Sequence, residues 1–159
     1  MVSVLAVRSF GRTAGRPPAA SPSAITAPPK FFVTVGFVNG RADQIQIRRT
    51  SDGKLTATAP PLPGGLVAGG LSAANDHTFV LAGYRYNCPS GILTRFYQLT
   101  ITANGHISGF RSVGAQVYGQ VDSISVTPDG TQAAFIRDGA CSRPDLDTTG
   151  VIRVMNLTK

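Results

Sequence analysis

The two cysteines, Cys88 and Cys141, are the residues whose type and spacing suggest chemistry most directly, and they lie 53 residues apart. A disulfide between them would stabilise the fold by about 4 kcal/mol through the loop that it closes, and it would require an oxidising compartment. They could equally be two free thiols whose Cα atoms lie too far apart to bridge. A zinc centre is not predicted, because the short paired spacing of its ligands is missing.

Other residue groups do not predict catalysis. The glycines of residues 64–71 have the spacing of a phosphate loop but lack the Lys and the Ser or Thr that would hold phosphate and metal. His77 and His106 each fall in a tight turn, where a histidine is simply solvated. Asp145 and Asp147 share one loop, which favours solvation over paired-carboxylate chemistry. We therefore expect a protein that is not an enzyme, without catalytic residues, metal ligands or cofactor.

Charged residues in three predicted loops are the best candidates for binding. The loops cover residues 38–43, 84–92 and 137–149, and they lengthen along the chain. Their mixed charges and single anchoring aromatic suit a protein or polar ligand better than a phosphate backbone, although ordinary solvated loops would have the same composition. The candidate binding residues are Arg85, Tyr86, Arg137, Asp138, Arg143, Asp145 and Asp147.

An internal repeat organises the elements that must position these loops. Residues 72–82 align with residues 125–135 at an offset of 53, with Ser, Asp and Thr coinciding before an apolar run. Residues 45–55 align with residues 97–107 at an offset of 52, each an alternating strand closed by an Asx-Gly turn. A third copy of this strand begins at Val151. The repeat predicts a four-stranded antiparallel meander whose turns are set by Pro, Asp and Gly.

The composition also favours strands and turns over helices. All eight acidic residues are Asp, and only three of the 15 basic residues are Lys, beside 18 Gly and 11 Pro. Solvated helix faces are usually built from Glu, Lys and Leu, so their scarcity predicts an all-β protein.

The predicted fold is a β-propeller fragment of about 2.5 four-stranded antiparallel blades with a disordered N-terminal tail. Such blades are apolar on both faces and stack around an axis. We expect a Pro/Ala-rich tail or linker at residues 1–30, a partial first blade at 31–63, a second blade at 64–117 and a partial third blade at 118–159. About 2.5 blades are too few to close a ring. We therefore expect the remaining blades to be encoded in a longer gene. The alternatives are self-association of several copies and an open arc.

The net charge of +7 does not predict a nucleic-acid partner. Four basic residues and no acid lie in the first thirty residues, which leaves +3 (11 basic minus 8 acidic) on the other 129. Interleaved aromatics and a basic cluster are missing. The apolar stretch of residues 2–7 is too short for a signal peptide or a span of ~20 residues, so no direct membrane insertion is expected. A linker of this kind often follows a membrane anchor, and a disordered start is the alternative.

Residues 125–136 (SVTPDGTQAAFI), followed by residues 152–157 (IRVMNL), resemble the WD40-like repeats of TolB-type β-propellers. The layout of tail and repeats is similar to that of uncharacterised actinobacterial propeller proteins carried outside the membrane. The resemblance covers about residues 31–159. The sequence lacks the Trp-Asp dipeptide and the Gly-His start of eukaryotic WD40 units. The period of those units is also shorter, at about 40 to 45 residues.

The resemblance implies a binding platform, because fold alone does not carry function. We therefore expect a non-catalytic scaffold for a protein, peptide or other ligand, located outside the cytoplasm and tethered to a membrane in its full-length form. One alternative is part of a propeller enzyme of lactonase-like type whose catalytic residues lie outside this segment. Another is a remnant that folds poorly.

Overall fold

The computed structural model of the protein describes residues 28–38, 41–87, 91–138 and 151–158. Apart from a 3-10 turn at Pro63–Gly65, every regular element in these ranges is a strand, which confirms the all-β expectation. The strands are β1 (Phe31–Val38), β2 (Arg41–Arg49), β3 (Leu55–Thr58), β4 (Val67–Asn75), β5 (Thr78–Asn87), β6 (Gly91–Ile101), β7 (Ile107–Tyr118), β8 (Gln120–Val126), β9 (Gln132–Asp138) and β10 (Val151–Asn156).

These ten strands form three antiparallel sheets in which consecutive strands are neighbours. The first sheet has the order β1-β2-β3, the middle sheet β4-β5-β6-β7 and the last sheet β8-β9-β10. The predicted antiparallel meanders of three and four strands are therefore confirmed.

Local turn chemistry determines where strands end. Gly53 and Gly105, which the repeat aligns, both adopt positive φ, at 68° and 78°. Gly130 does the same at 72° in the turn that follows β8. Glycine is favoured at such positions because it has no Cβ to clash with the following carbonyl.

The repeat aligns two hairpin turns that differ in detail. Asn75 pairs with Thr78 across a two-residue turn, after a bulge in β4. The turn between β8 and β9 is longer. Its closing hydrogen bond runs from the Thr127 N–H to the Gln132 carbonyl (3.0 Å), with four residues between them. A bulge adds one residue to one strand only, so the sequence alignment and the strand register disagree by one position here.

The middle sheet is buried on both faces, because its strands alternate between two cores. On β5, Phe79 and Leu81 belong to the core shared with the first sheet, whereas Val80 and Ala82 belong to the core shared with the last sheet. A strand with side chains buried on both sides reads as a continuous apolar run. The middle sheet therefore depends on a neighbour on each flank.

The middle and last sheets approach closely at their first strands. Gly69 on β4 leaves so little space that a Cβ there would lie 2.7 Å from the carbonyl oxygen of Val121 on β8. Farther along the interface, the Phe96 and Phe135 rings pack with centroids 5.3 Å apart. The missing side chain at Gly69 allows the two backbones to touch.

The first sheet covers the other flank with repeat-equivalent residues. The repeat aligns Ile45 with Tyr97 and Ile47 with Leu99, and all four are buried in the same core. The two sheets therefore meet through equivalent faces, whereas successive blades of a ring meet through opposite faces. The first sheet therefore covers this flank of the middle sheet.

The side chains of β2 that point away from this core are polar and are hydrogen-bonded to one another. Gln46 donates to the Gln44 side-chain oxygen (2.7 Å), and the Arg48 Nη2 donates to the Gln46 side-chain oxygen (2.7 Å). Arg48 Nη1 also donates to the Gly53 carbonyl (2.9 Å). Two exposed apolar residues, Phe32 and Leu55, pair with Arg48 on the neighbouring strands, so this face carries both polar and apolar side chains.

Candidate functional site

Contacts between turns show which strand ends lie together. Phe31, at the start of β1, packs against Gly105 in the β6–β7 turn. Asn75 Nδ2 donates to the Pro128 carbonyl (3.1 Å), which joins the β4–β5 and β8–β9 turns. We call this side of the molecule the turn end. Because neighbouring strands are antiparallel, the β1–β2, β5–β6 and β9–β10 connections leave from the opposite side, which we call the loop end.

Four of the sequence-predicted binding residues lie on strands that finish at the loop end. Arg85 is exposed near the end of β5, and its guanidinium donates to the Gly64 carbonyl in the 3-10 turn. Tyr86 follows it and pairs with Ile92. Arg137 is half-buried near the end of β9, and Asp138 ends that strand.

The remaining predicted residues lie outside the described ranges. They are Arg143, Asp145, Asp147, Cys88 and Cys141. The binding role of the loops and the disulfide therefore stay predictions.

Two exposed aromatic residues at the loop end were missed by sequence reasoning. Tyr118, at the end of β7, is 68% exposed, and Phe37, near the end of β1, is 75% exposed. The register places Tyr118 in one row with Arg85, since both pair with Leu93 on β6. A strand-ending aromatic just before Gly119 is the only sequence signal that could have indicated Tyr118.

Phe37 lies where the strand register shifts, since Gly36 pairs with Gln44 but Phe37 pairs with Ala42. Along β1, Phe31, Val33 and Val35 face the core, and strict alternation would send Phe37 to the same side. The extra residue lies on β2, and beside this irregularity, near the end of β1, the Phe37 side chain is exposed.

A buried threonine holds the backbone beside Tyr118. Thr94 is fully buried, and its hydroxyl donates to the Gly119 carbonyl (2.6 Å). The Gly119 N–H in turn donates to the Ile92 carbonyl (2.8 Å). These two bonds fix the β7–β8 junction, so Tyr118 projects from an ordered backbone.

Among the described residues, Asp129 has a shifted pKa, and it lies at the turn end. Hydrogen bonds from the Thr127 hydroxyl (2.6 Å) and from the Thr131 N–H and hydroxyl (3.0 and 2.9 Å) lower the pKa of Asp129 below its usual 3.8. These bonds close the turn locally, which is a structural role. Within the described ranges, no group of three His, Cys, Asp or Glu side chains could hold a metal ion.

A cleft of about 350 Å³ opens at the turn end between β1 and β4. Its walls are mainly apolar, and the Asn75 amide at its edge is already engaged by Pro128 and by the His77 N–H. A specific ligand site needs several convergent polar groups, so this cleft does not define one. Its lining residues are Pro29, Phe31, Phe32, Val33, Leu71, Ala73, Ala74, Asn75, Asp76 and Phe79.

Comparison with protein-family models, with curated proteins and with solved structures returned no match. Across the described part of the chain, none of the helical structure is long and apolar enough to cross a bilayer.

Proposed function

We propose that this protein is a non-catalytic binding scaffold of the propeller-repeat type, which recognises a protein or peptide partner at its loop end. The observation that carries the proposal is the position of two exposed aromatic residues, Phe37 and Tyr118, at the same end as Arg85. Aromatic residues and arginine are the side chains that most often dominate the energetics of protein interfaces.

The scaffold part of the proposal is supported by the stacked sheets. The middle sheet has four strands and is covered by another sheet on each face, so its strands are held on both sides. Rigid strands that present variable connections at one end are a common arrangement for recognition. An extracytoplasmic location belongs to the same proposal and is tested through the cysteines below.

Photo-crosslinking can test the loop end. A benzoylphenylalanine replacing Tyr118 or Phe37 should capture the same partner, whereas the probe at Phe32 should not. Phe32 is a matched control, because it is also a partly exposed aromatic of β1 (37%) but lies at the turn end.

The captured partner is then purified and titrated. Tyr118→Ala and Arg85→Ala should each weaken its binding by about tenfold or more, as expected for interface anchors. Equal capture from Phe32, or unchanged affinity of the Tyr118→Ala variant, would show that the loop end is not the recognition surface.

A further inference from the structure

The last sheet has an open edge at β10. Strand β10 pairs with β9 on one side, and no strand of the described ranges pairs with its other side. Ile152 and Val154 are 72% and 69% exposed, and Arg153 between them is exposed as well. An edge strand of this kind presents unpaired N–H and C=O groups that can template another strand.

The middle sheet shows how the corresponding edge is completed. Its third strand, β6, is covered by β7, and Leu99 on β6 is fully buried. A polar pair crosses this edge, since Arg111 on β7 donates twice to the side-chain oxygen of Gln98 on β6 (3.0 and 2.7 Å). There the added strand supplies the cation and the third strand supplies the acceptor.

In the last sheet the cation lies on the third strand itself. Arg153 is the exposed central residue of β10, so the complementary group on an added strand is a carboxylate. Opposite charges placed directly across two strands stabilise their pairing, and an arginine can bind a carboxylate through two parallel hydrogen bonds.

The positions on either side of Arg153, Ile152 and Val154, are apolar and would pack best against apolar side chains of an added strand. Ile152 pairs with Ile136 on β9, and Ile136 is also 39% exposed. With Val154, these side chains form an apolar strip on the outward face of the last sheet. The edge therefore fits an apolar–acidic–apolar strand.

A second copy of β10 fits this edge poorly. The antiparallel register that pairs Ile152 with the Val154 of another copy also brings two Arg153 side chains opposite each other. Like charges directly across two strands are destabilising, so the arginine selects against self-pairing.

We propose that the open edge of β10 binds an extended segment of a partner protein as an added antiparallel strand, with a carboxylate opposite Arg153 and apolar side chains opposite Ile152 and Val154. This mode of recognition draws affinity from main-chain hydrogen bonds and specificity from alternate side chains. It uses a different surface from the loop end, so its test is independent of that proposal.

The test uses the 159-residue protein and two fluorescently labelled nine-residue peptides, one alternating Val with Glu and one alternating Val with Lys. Fluorescence anisotropy should detect binding of the Val/Glu peptide, and Arg153→Glu should weaken it at least tenfold while creating binding of the Val/Lys peptide. Arg95→Glu is the matched control, because Arg95 is an exposed arginine of β6, a strand paired on both edges. It should change the affinity less than twofold.

Hydrogen exchange adds a readout of position, since the Val/Glu peptide should protect amides of β10. Failure of this peptide to bind, equal weakening by Arg95→Glu, or binding without protection of β10 would each overturn the proposal. So would sedimentation showing a dimer that competes with the peptide, because a second copy would then occupy the edge. Unchanged circular dichroism of both variants excludes unfolding as the cause.

Discussion

The ring of Phe31 packs against Gly105, where an added Cβ would lie 2.8 Å from the ring carbon Cδ1. The contact ties the start of β1 in the first sheet to the β6–β7 turn of the middle sheet. Gly105 is buried beneath the ring and has a φ of 78°. Two constraints, conformational and steric, therefore meet at one glycine.

Gly105→Ala should destabilise the protein by about 3 kcal/mol, because the left-handed conformation costs ~1–2 kcal/mol for a residue with a Cβ and overpacking adds ~1–3 kcal/mol. Gly53→Ala is the matched control, since Gly53 has a φ of 68° but nothing within 4 Å of its added Cβ. It should cost only about 1–2 kcal/mol. Urea unfolding followed by circular dichroism measures both, and equal losses would show that Phe31 does not press on Gly105.

Thr94→Val should destabilise the β7–β8 junction by about 1–2 kcal/mol, because it leaves the Gly119 carbonyl without its 2.6 Å hydrogen bond at a buried site. Thr100→Val is the control on the same strand. Its hydroxyl donates to the Gly109 carbonyl at 3.4 Å, a half-buried and weak contact, so the loss should stay below about 0.5 kcal/mol. The idea that Thr94 holds this junction fails if both variants unfold at the same urea concentration.

Gly69→Ala should weaken the contact between the middle and last sheets by about 1–3 kcal/mol, because the added methyl meets the Val121 carbonyl, a backbone atom that cannot swing aside. Gly36→Ala is the comparison within a strand. There the nearest atom is the end of the Gln46 side chain at 3.3 Å, which can move. A thermal melt of the two variants distinguishes them, and a Gly69→Ala protein as stable as Gly36→Ala would contradict the close approach of β4 and β8.

Acid should remove the contribution of Asp129 to stability. The hydrogen bonds from Thr127 and Thr131 lower the pKa of this carboxyl in the folded state below 3.8, so its charged form is favoured by folding. The stabilisation is present above the unfolded-state pKa and is lost as the pH falls through the lower folded-state pKa. Between pH 6 and pH 2, the stability of the wild type should therefore decline more steeply than that of Asp129→Asn.

Thr127→Val removes the largest cause of this lowered pKa, so its pH profile should lie between the other two. Urea midpoints measured at each pH give the comparison. Parallel profiles for the wild type and Asp129→Asn would show that the turn does not favour the carboxylate.

Cys88 and Cys141 should form a disulfide when the protein is produced in an oxidising compartment. Alkylation before and after reduction, read by mass spectrometry, distinguishes a bonded pair from two thiols. If bonded, replacing both by Ser should cost about 4 kcal/mol in the loop-entropy account. Two alkylated thiols in secreted protein would remove the support for a disulfide and for the extracytoplasmic proposal together.

Local sequence patterns are enough to predict the strands, the turns and the meanders. Turn chemistry is local: the Asx-Gly pairs place Gly53 and Gly105 at positive φ, and Asp129 closes its turn through bonds to residues two positions away. Strand alternation is also local, since successive side chains point to opposite faces. The repeat therefore predicts antiparallel meanders from local patterns alone.

Packing between the sheets sets which face of each sheet meets another and which side chains remain exposed. Phe37 is exposed at an irregular position of the first sheet, and the strand register places Tyr118 and Arg85 in one row on either side of Leu93. Ile45 and Tyr97 look alike in the repeat, yet their burial in one shared core depends on how the first sheet is oriented. Such choices depend on packing between residues far apart in the chain, and an alternating pattern specifies two faces without specifying what covers them.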